Sequence, residues 1–152
     1  MGGQFAGVEK RVKAHVLMAG FGDTARGWNL ARPNDEFAHV VAPLDGIRYV
    51  GAASPSAILF QWASRDEVLT AEDLETFFNA AKEPKEKRWY DADHSFNHAA
   101  LRDRAEWLGR QLAFTPPDEN RLRRVHLPQR DLDFLEEQRP WFAALKRPKT
   151  KA

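Results

Sequence analysis

The stretch Ala57-Ile58-Leu59-Phe60-Gln61-Trp62-Ala63 decides the fold of this 152-residue chain. Its largely apolar run predicts a strand that is buried on both faces, as the strands of parallel sheets are. Residues 71–82 predict a helix, residues 86–90 another strand, and residues 97–112 a second helix. Strands that alternate with helices are typical of βαβ units, so we expect an α/β protein with a parallel sheet.

Both helices have a predicted apolar face. Thr70 precedes the first helix as an N-cap, Asp73 stands three residues later as in a capping box, and Pro84 is placed to end the helix. Helical spacing predicts which side chains are buried. They are Leu74, Phe77, Phe78 and Ala81 in the first helix, and Ala100, Leu101, Ala105, Leu108 and Leu112 in the second.

The residues before this pattern add one strand and a long irregular excursion. Residues 14–19 are apolar and end at Gly20, which predicts a further strand. Ahead of them, Gly7 stands where a helix would close with a left-handed cap. Residues 21–56 are rich in Gly, Pro, Asn and Asp and predict a loop with one short helix over 36–41. Loops of this length are usually functional or disordered.

The composition of the sequence changes near Pro116-Pro117. We therefore expect residues 113–152 to form a C-terminal helical extension that is separate from residues 1–112. Arg121, Arg123 and Arg124 form a basic cluster there. Residues 131–145 predict an amphipathic helix that Pro140 interrupts, and residues 146–151 form a basic tail that we expect to be disordered.

Composition and charge exclude several classes of protein. Lysine and arginine total 23 against 22 aspartates and glutamates, so no overall charge attracts nucleic acid or a membrane surface. The sequence has no cysteine, which excludes disulfides and thiolate chemistry. It has no apolar run of about 18 residues and no signal-peptide pattern at its start. We therefore expect a cytoplasmic protein that binds neither nucleic acid nor membrane.

Asp66 and His94 each follow a predicted strand. Open parallel sheets place their sites at the carboxyl ends of the strands, so we expect the two side chains to lie near each other. An acid that orients a histidine, and a histidine that takes a proton from a nucleophile, form the acid–base part of a hydrolase triad. The alternative is that Asp66 caps a turn and His94 is a surface loop residue.

Several segments resemble the C-terminal half of α/β-hydrolases of the dienelactone-hydrolase-like group. They are Leu59-Phe60-Gln61-Trp62-Ala63-Ser64-Arg65-Asp66-Glu67, residues 80–85, Arg88-Trp89-Tyr90-Asp91-Ala92-Asp93-His94 and residues 99–108. Residues 2–20 resemble the end of the helix after the nucleophile and the strand that follows it. The resemblance covers about residues 1–112 and implies a partial α/β-hydrolase fold with about three parallel strands flanked by helices.

The same resemblance implies a serine hydrolase that acts on ester or related acyl bonds. In that family the acid follows the seventh strand and the histidine the eighth, which correspond to Asp66 and His94. Residues 21–56 lie where such enzymes carry a cap or an insertion that lines the substrate pocket. Trp28, Phe37 and Tyr49 of this insertion would line an acyl pocket, or would simply pack in the core.

The nucleophile of such an enzyme is missing from the sequence. The serines are Ser54, Ser56, Ser64 and Ser95, and none has glycine at both i−2 and i+2, as a G-x-S-x-G elbow requires. We therefore expect the chain to be the C-terminal half of a hydrolase, inactive alone, whose serine lies before Met1. The alternative is a non-catalytic relic or interaction protein that binds a partner through the half-fold and a helix over residues 134–145.

We expect no cofactor and no metal. His94 and His98 have the i, i+4 spacing of a zinc pair on a helix, but the Glu of H-E-x-x-H is absent, and Gly20-Phe21-Gly22 lacks the third glycine of a dinucleotide fingerprint. The expected partner is a small ester-type substrate of the completed enzyme. The resemblance also implies that the strand at residues 14–19 lies beside the strand that carries the nucleophile, which this sequence lacks. Its unpaired edge would then be exposed, and we expect self-association through it.

Overall fold

The computed structural model describes residues 2–20, 22–23, 35–66 and 69–127, except the side chains of Asp35 and Phe37. The elements follow each other along the chain in an alternating α/β order. They are α1 (Gly2–Val8), β1 (Ala14–Met18), α2 (Asp35–Val41), β2 (Ala57–Ala63), α3 (Ala71–Ala80), β3 (Lys85–Tyr90), α4 (His98–Leu112) and α5 (Glu119–Arg123).

The three strands form a parallel sheet in the order β1-β2-β3. Ala14 of β1 pairs with Ala57 of β2, and Ile58 of β2 pairs with Lys85 of β3. All seven residues of β2 are buried, which agrees with the prediction of a central strand. The structure thus confirms a partial α/β fold with three parallel strands flanked by helices.

Helices cover both faces of the sheet, and each face has its own apolar cluster. Ile58, Phe60 and Trp62 point to the face that packs against α1 and α3, where Leu74 and Phe77 are also buried. Ala57 and Leu59 point to the other face and contact Trp107 of α4. This alternation follows from the two-residue period of a strand.

The cap predicted at Thr70 is confirmed, and Asn97 is a second cap that the sequence analysis did not predict. The side chain of Thr70 accepts a hydrogen bond from the backbone N–H of Asp73 and donates one to its carboxylate. Asn97 caps α4 in the same way by accepting from the N–H of Ala100 at 3.1 Å. These bonds satisfy backbone N–H groups that would otherwise lack a partner in the first helical turn.

Three expectations about the helices are wrong. Gly7 lies inside α1 rather than at a left-handed cap, and a Cβ there would overlap the carbonyl of Tyr49, so close packing requires the glycine. Helix α3 ends at Ala80, before Lys82. Leu112 is 44% exposed, because Trp107 and Gly109 take the buried positions of that half of α4.

The excursion before β2 is more regular than predicted. Residues 42–53 contain three short 3₁₀ helices, at Ala42–Leu44, Gly46–Arg48 and Val50–Ala53. Val50 and Ala53 are buried in the cluster beside α1. Helix α5, which the sequence did not predict, buries Leu122. The predicted helix at residues 131–145 and the basic tail lie outside the described residues.

Candidate active site

Asp66 follows β2 directly after a two-residue turn, and its side chain is only 2% exposed. One carboxylate oxygen, Oδ1, accepts a hydrogen bond from the backbone N–H of Leu69 at 3.1 Å. The backbone N–H of Asp66 itself donates to the carbonyl of Ala63. The carboxylate is therefore buried and held in one orientation at the carboxyl end of the central strand.

His94 lies in the loop between β3 and α4. Hydrogen bonds within this loop fix its conformation. The carboxylate of Asp93 accepts from the N–H of Ser95 at 2.9 Å, and the carbonyl of Asp93 accepts from the N–H of Phe96 at 3.0 Å. Phe96 has a left-handed backbone with φ of 66°, which a non-glycine residue adopts only when its surroundings hold it there. Its buried ring packs edge-to-face against Tyr90.

The far end of this loop is anchored as well. Asn97 caps α4 through its side-chain oxygen, and its side-chain nitrogen donates to the carbonyl of Asp91 at 3.2 Å. The loop that carries His94 is therefore held at its start, at Phe96 and at Asn97, the residue that caps α4. Such anchoring restricts where the imidazole can lie.

The two predicted site residues are in direct contact. Nδ1 of His94 lies 2.9 Å from Oδ2 of Asp66, and the imidazole side chain is 42% exposed while the carboxylate is buried. In the neutral ring, an Nδ1–H that donates to Asp66 leaves the lone pair on Nε2. A histidine in this tautomer accepts a proton at Nε2, and the buried carboxylate then stabilises the imidazolium.

The start of α1 lies at the same edge of the sheet. Gly2 is packed against Leu17 near the end of β1, and Phe5 contacts His15 further back along that strand with ring centroids 6.1 Å apart. Helix α1 therefore runs antiparallel to β1 and begins at the carboxyl edge, where Asp66 and His94 lie.

A buried polar network beneath the site was missed by the sequence analysis. Gln61 of β2 is fully buried. Its amide nitrogen donates to the Tyr90 hydroxyl at 3.0 Å and to the carbonyl of Ala100 at 2.8 Å. Its amide oxygen accepts a hydrogen bond from Nε of Arg104. The Tyr90 hydroxyl in turn donates to Asp103. Burial raises the pKa of Tyr90, so its hydroxyl keeps the proton that it donates. The one signal in the sequence was an amide inside an apolar run.

The other predicted residues do not join this site within the described part of the chain. Tyr49 is half-buried and donates its hydroxyl to the carbonyl of Pro43 at 2.7 Å, and its packing against Gly7 fits a structural role. Trp28 and the side chain of Phe37 lie outside the described residues. His98 is the first residue of α4 and its ring contacts the carbonyl of Val125. Among the residues that the structure describes, no group of three acidic, histidine or cysteine side chains could hold a metal ion.

No family model, curated protein or solved structure matches the chain. Across the described ranges, no helix is long and apolar enough to cross a membrane.

Proposed function

We propose that Asp66 and His94 are the acid and the base of an α/β-type serine hydrolase that cleaves ester or related acyl bonds. The observation that carries the proposal is the 2.9 Å contact between Nδ1 of a half-exposed His94 and a buried carboxylate at the carboxyl edge of a parallel sheet. In this proposal the enzyme is cytoplasmic and its substrate is a small ester-type molecule.

The nucleophilic serine belongs to a polypeptide segment outside residues 1–152, because none of the four serines in the sequence stands in an elbow. The position of α1 supports this. Since α1 begins at the carboxyl edge of the sheet, a serine immediately before it would lie at the same edge as His94.

Each residue has a defined part in this reaction. His94 takes the serine proton on Nε2 as the serine oxygen attacks the acyl carbon, and then gives the proton to the departing alcohol. Water hydrolyses the acyl-enzyme through the same two proton transfers. Asp66 keeps the ring in the reactive tautomer and stabilises its cation.

The test uses the natural polypeptide that contains this sequence, treated with a fluorophosphonate probe and p-nitrophenyl esters. We expect one labelled serine, located by mass spectrometry outside residues 1–152, and ester hydrolysis that His94→Ala abolishes. His98→Ala, four residues away, is the matched control and should keep the activity. A polypeptide in which no serine is labelled, or a His94→Ala variant with full turnover, would overturn the proposal.

A second candidate is a non-catalytic interaction protein, which the unpaired outer edge of β1 supports. In the part of the chain that the structure describes, no strand pairs with that edge. An in-frame stop codon shortly before the Met1 codon, with no G-x-S-x-G in between, would favour this second function.

A further inference from the structure

A cavity of about 690 Å³ lies beside the loop that carries His94. One wall is this loop, in which Asp93 and Ser95 flank His94, together with the start of α4. The opposite wall consists of residues 123–127, the end of α5 and the turn that follows it. Small-molecule sites in proteins usually have volumes of roughly 300–1,000 Å³. The size and concave shape of this cavity therefore fit a small molecule.

The two walls of the cavity are joined by a hydrogen bond. Nε2 of His98 lies 3.2 Å from the carbonyl of Val125, and it donates the bond because a carbonyl can only accept. The backbone N–H of Val125 in turn donates to the carbonyl of Leu122 at 3.1 Å, and the side chain of Leu122 is buried. Both walls are therefore in place before a ligand arrives, so binding does not have to order them.

Positive groups outnumber negative groups around this cavity. The guanidinium side chains of Arg123 and Arg124 line it, together with the imidazole of His126. Asp93 supplies the one carboxylate among the described residues that line the cavity, and its Oδ1 already accepts a backbone N–H of the loop at 2.9 Å. The whole chain has a net charge of only +1, so this excess of positive charge is local.

The guanidinium of Arg124 is available to a ligand. Among the residues that the structure describes, no carboxylate forms an ion pair with it. Arg123 pairs with Glu119 at 3.1 Å, but both side chains are largely exposed, and such a pair costs little to rearrange. Guanidinium groups present a planar fork of N–H donors that matches the oxygens of a phosphate. Two adjacent arginines in one cavity therefore favour a phosphate group as the ligand.

We propose that this cavity binds a phosphate group, either the free anion or the phosphate of a small organic molecule, through Arg123 and Arg124. A phosphate monoester carries close to two negative charges at neutral pH, so it can balance both guanidinium groups, which one carboxylate cannot do. The apolar side chains of Phe96, Val125 and Leu127 also line the cavity and offer contact to the rest of an organic phosphate. The arginines belong to the C-terminal extension, and the proposal uses no step of the proposed hydrolysis.

The test is calorimetric titration of the full chain with phenyl phosphate and with inorganic phosphate. The buffer has a fixed ionic strength and a pH of about 7.5, at which a phosphate monoester is mainly a dianion. Benzoate, with one negative charge, and benzyl alcohol, with none, are the control ligands. We expect both phosphates to bind. Benzoate should bind about tenfold more weakly than phenyl phosphate, since one charge-assisted hydrogen bond changes affinity by about that factor. Benzyl alcohol should not bind.

Substitutions on α5 test which side chains hold the phosphate. Arg124→Gln should weaken the binding of phenyl phosphate about tenfold, and the double variant with Arg123→Gln should show no measurable binding. Arg121→Gln is the matched control, since it removes the same charge from the same helix at a position that is not among the described lining residues. It should change the affinity by less than about twofold, because salt screens a distant charge. All three side chains are exposed, so thermal melts should show that the variants keep the fold.

The relative affinities of the two phosphates identify the source of the ligand. Tighter binding of phenyl phosphate would assign the site to an organic phosphate, and equal affinity would assign it to the free anion. Amide chemical shifts measured by NMR during the titration should change at residues 95–98 and 123–127.

Four results would each overturn the proposal. They are no binding of either phosphate, undiminished binding in the double variant, equal weakening by Arg121→Gln and Arg124→Gln, and benzoate binding as tight as that of phenyl phosphate. Ester hydrolysis plays no part in these measurements, so failure of the proposed function would leave their result standing.

Discussion

The backbone N–H of Arg65 donates to the carbonyl of Ala92 at 3.0 Å, which extends the pairing of β2 and β3 beyond the ends of both strands. The preceding bond, from the N–H of Ser64 to the carbonyl of Tyr90, is also intact. Arg65 is next to Asp66, and Ala92 is two residues before His94. The register of two parallel strands therefore brings the carboxylate and the imidazole together.

Substitution of either member of the pair should impair hydrolysis in the completed enzyme. We expect His94→Ala to lower kcat by several orders of magnitude, and Asp66→Asn by on the order of 10⁴-fold, because an asparagine no longer holds the reactive tautomer. Steady-state kinetics with p-nitrophenyl esters measures both effects.

Two neighbouring substitutions serve as controls. His98→Ala tests whether the other histidine of the pair at 94 and 98 is the base, and Asp91→Asn removes an exposed carboxylate that pairs with Arg65 at 3.3 Å. Both should retain near-normal kcat. If His98→Ala abolishes activity while His94→Ala retains it, the base is His98 and the assignment of His94 is wrong.

Residues 1–152 alone should show no serine-hydrolase turnover. The reason is that Ser54, Ser56, Ser64 and Ser95 all lack the flanking glycines of an elbow. A fluorophosphonate probe with intact-mass detection measures labelling, and p-nitrophenyl acetate measures turnover relative to the His94→Ala variant. Stoichiometric labelling of any of the four serines would contradict this expectation.

The sheet and the contact between Asp66 and His94 were predictable from sequence. An apolar run bounded by turn residues identified β2 with its observed bounds, Ala57–Ala63. Because the carboxyl ends of parallel strands meet at one edge, two polar residues placed after consecutive strands were expected to approach each other. The catalytic roles of the pair stay a prediction.

The network around Gln61 could not be predicted, because its partners are distant in sequence. Tyr90, Ala100 and Arg104 lie 29, 39 and 43 residues further along the chain. The 3₁₀ helices of residues 42–53 have too few residues to show a period, and their burial depends on contact with α1. Leu112 had the correct spacing for burial but lies in the final turn of α4, where Gly109 packs against Pro116.

The Gln61 amide should contribute strongly to stability. Gln61→Leu keeps a similar volume but leaves the carbonyl of Ala100 and the guanidinium of Arg104 without this partner. We expect a loss of about 3 kcal/mol in the free energy of unfolding, measured by urea denaturation, since each unsatisfied buried group costs about 1–3 kcal/mol. Gln111→Leu, at an exposed position of α4, should change it by less than about 0.5 kcal/mol. If Gln61→Leu changes the free energy of unfolding as little as Gln111→Leu does, the remaining polar groups find other partners and the prediction is wrong.

His15 should make the folded chain sensitive to acid. It is 6% exposed, its Nε2 has no hydrogen-bond partner in the described part of the chain, and burial lowers its pKa below the ordinary value of 6.5. The unfolded chain then binds the proton more readily than the folded chain does. The stability that comes from neutral His15 is therefore complete above about pH 6.5 and is lost as the pH falls from there toward the lowered pKa.

Thermal unfolding between pH 7.5 and 5 in matched ionic strength measures this effect. His15→Leu should have a higher melting temperature than the parent near pH 5, and its melting temperature should fall less steeply as the pH is lowered. His39→Leu removes an exposed histidine of α2 and should leave the decline in place. Identical pH profiles for His15→Leu and the parent would show that other groups cause the acid sensitivity.

The outer edge of β1 should cause residues 1–152 to self-associate. Met18 is 42% exposed at this edge, and its backbone groups point away from β2, so another chain can pair there. We therefore expect concentration-dependent association, with dye binding to exposed apolar surface. Light scattering after size-exclusion chromatography, over a range of loading concentrations, measures it.

Proline substitutions can separate the edge from the ladder. Met18→Pro removes an N–H that faces outward and should reduce association while the fold is retained, because proline is tolerated where a strand's N–H has no ladder partner. Leu17→Pro removes an N–H that faces β2 and should unfold the chain. If the parent chain is a monomer that binds no dye and melts in one sharp cooperative transition, the edge is already covered and the prediction of self-association is wrong.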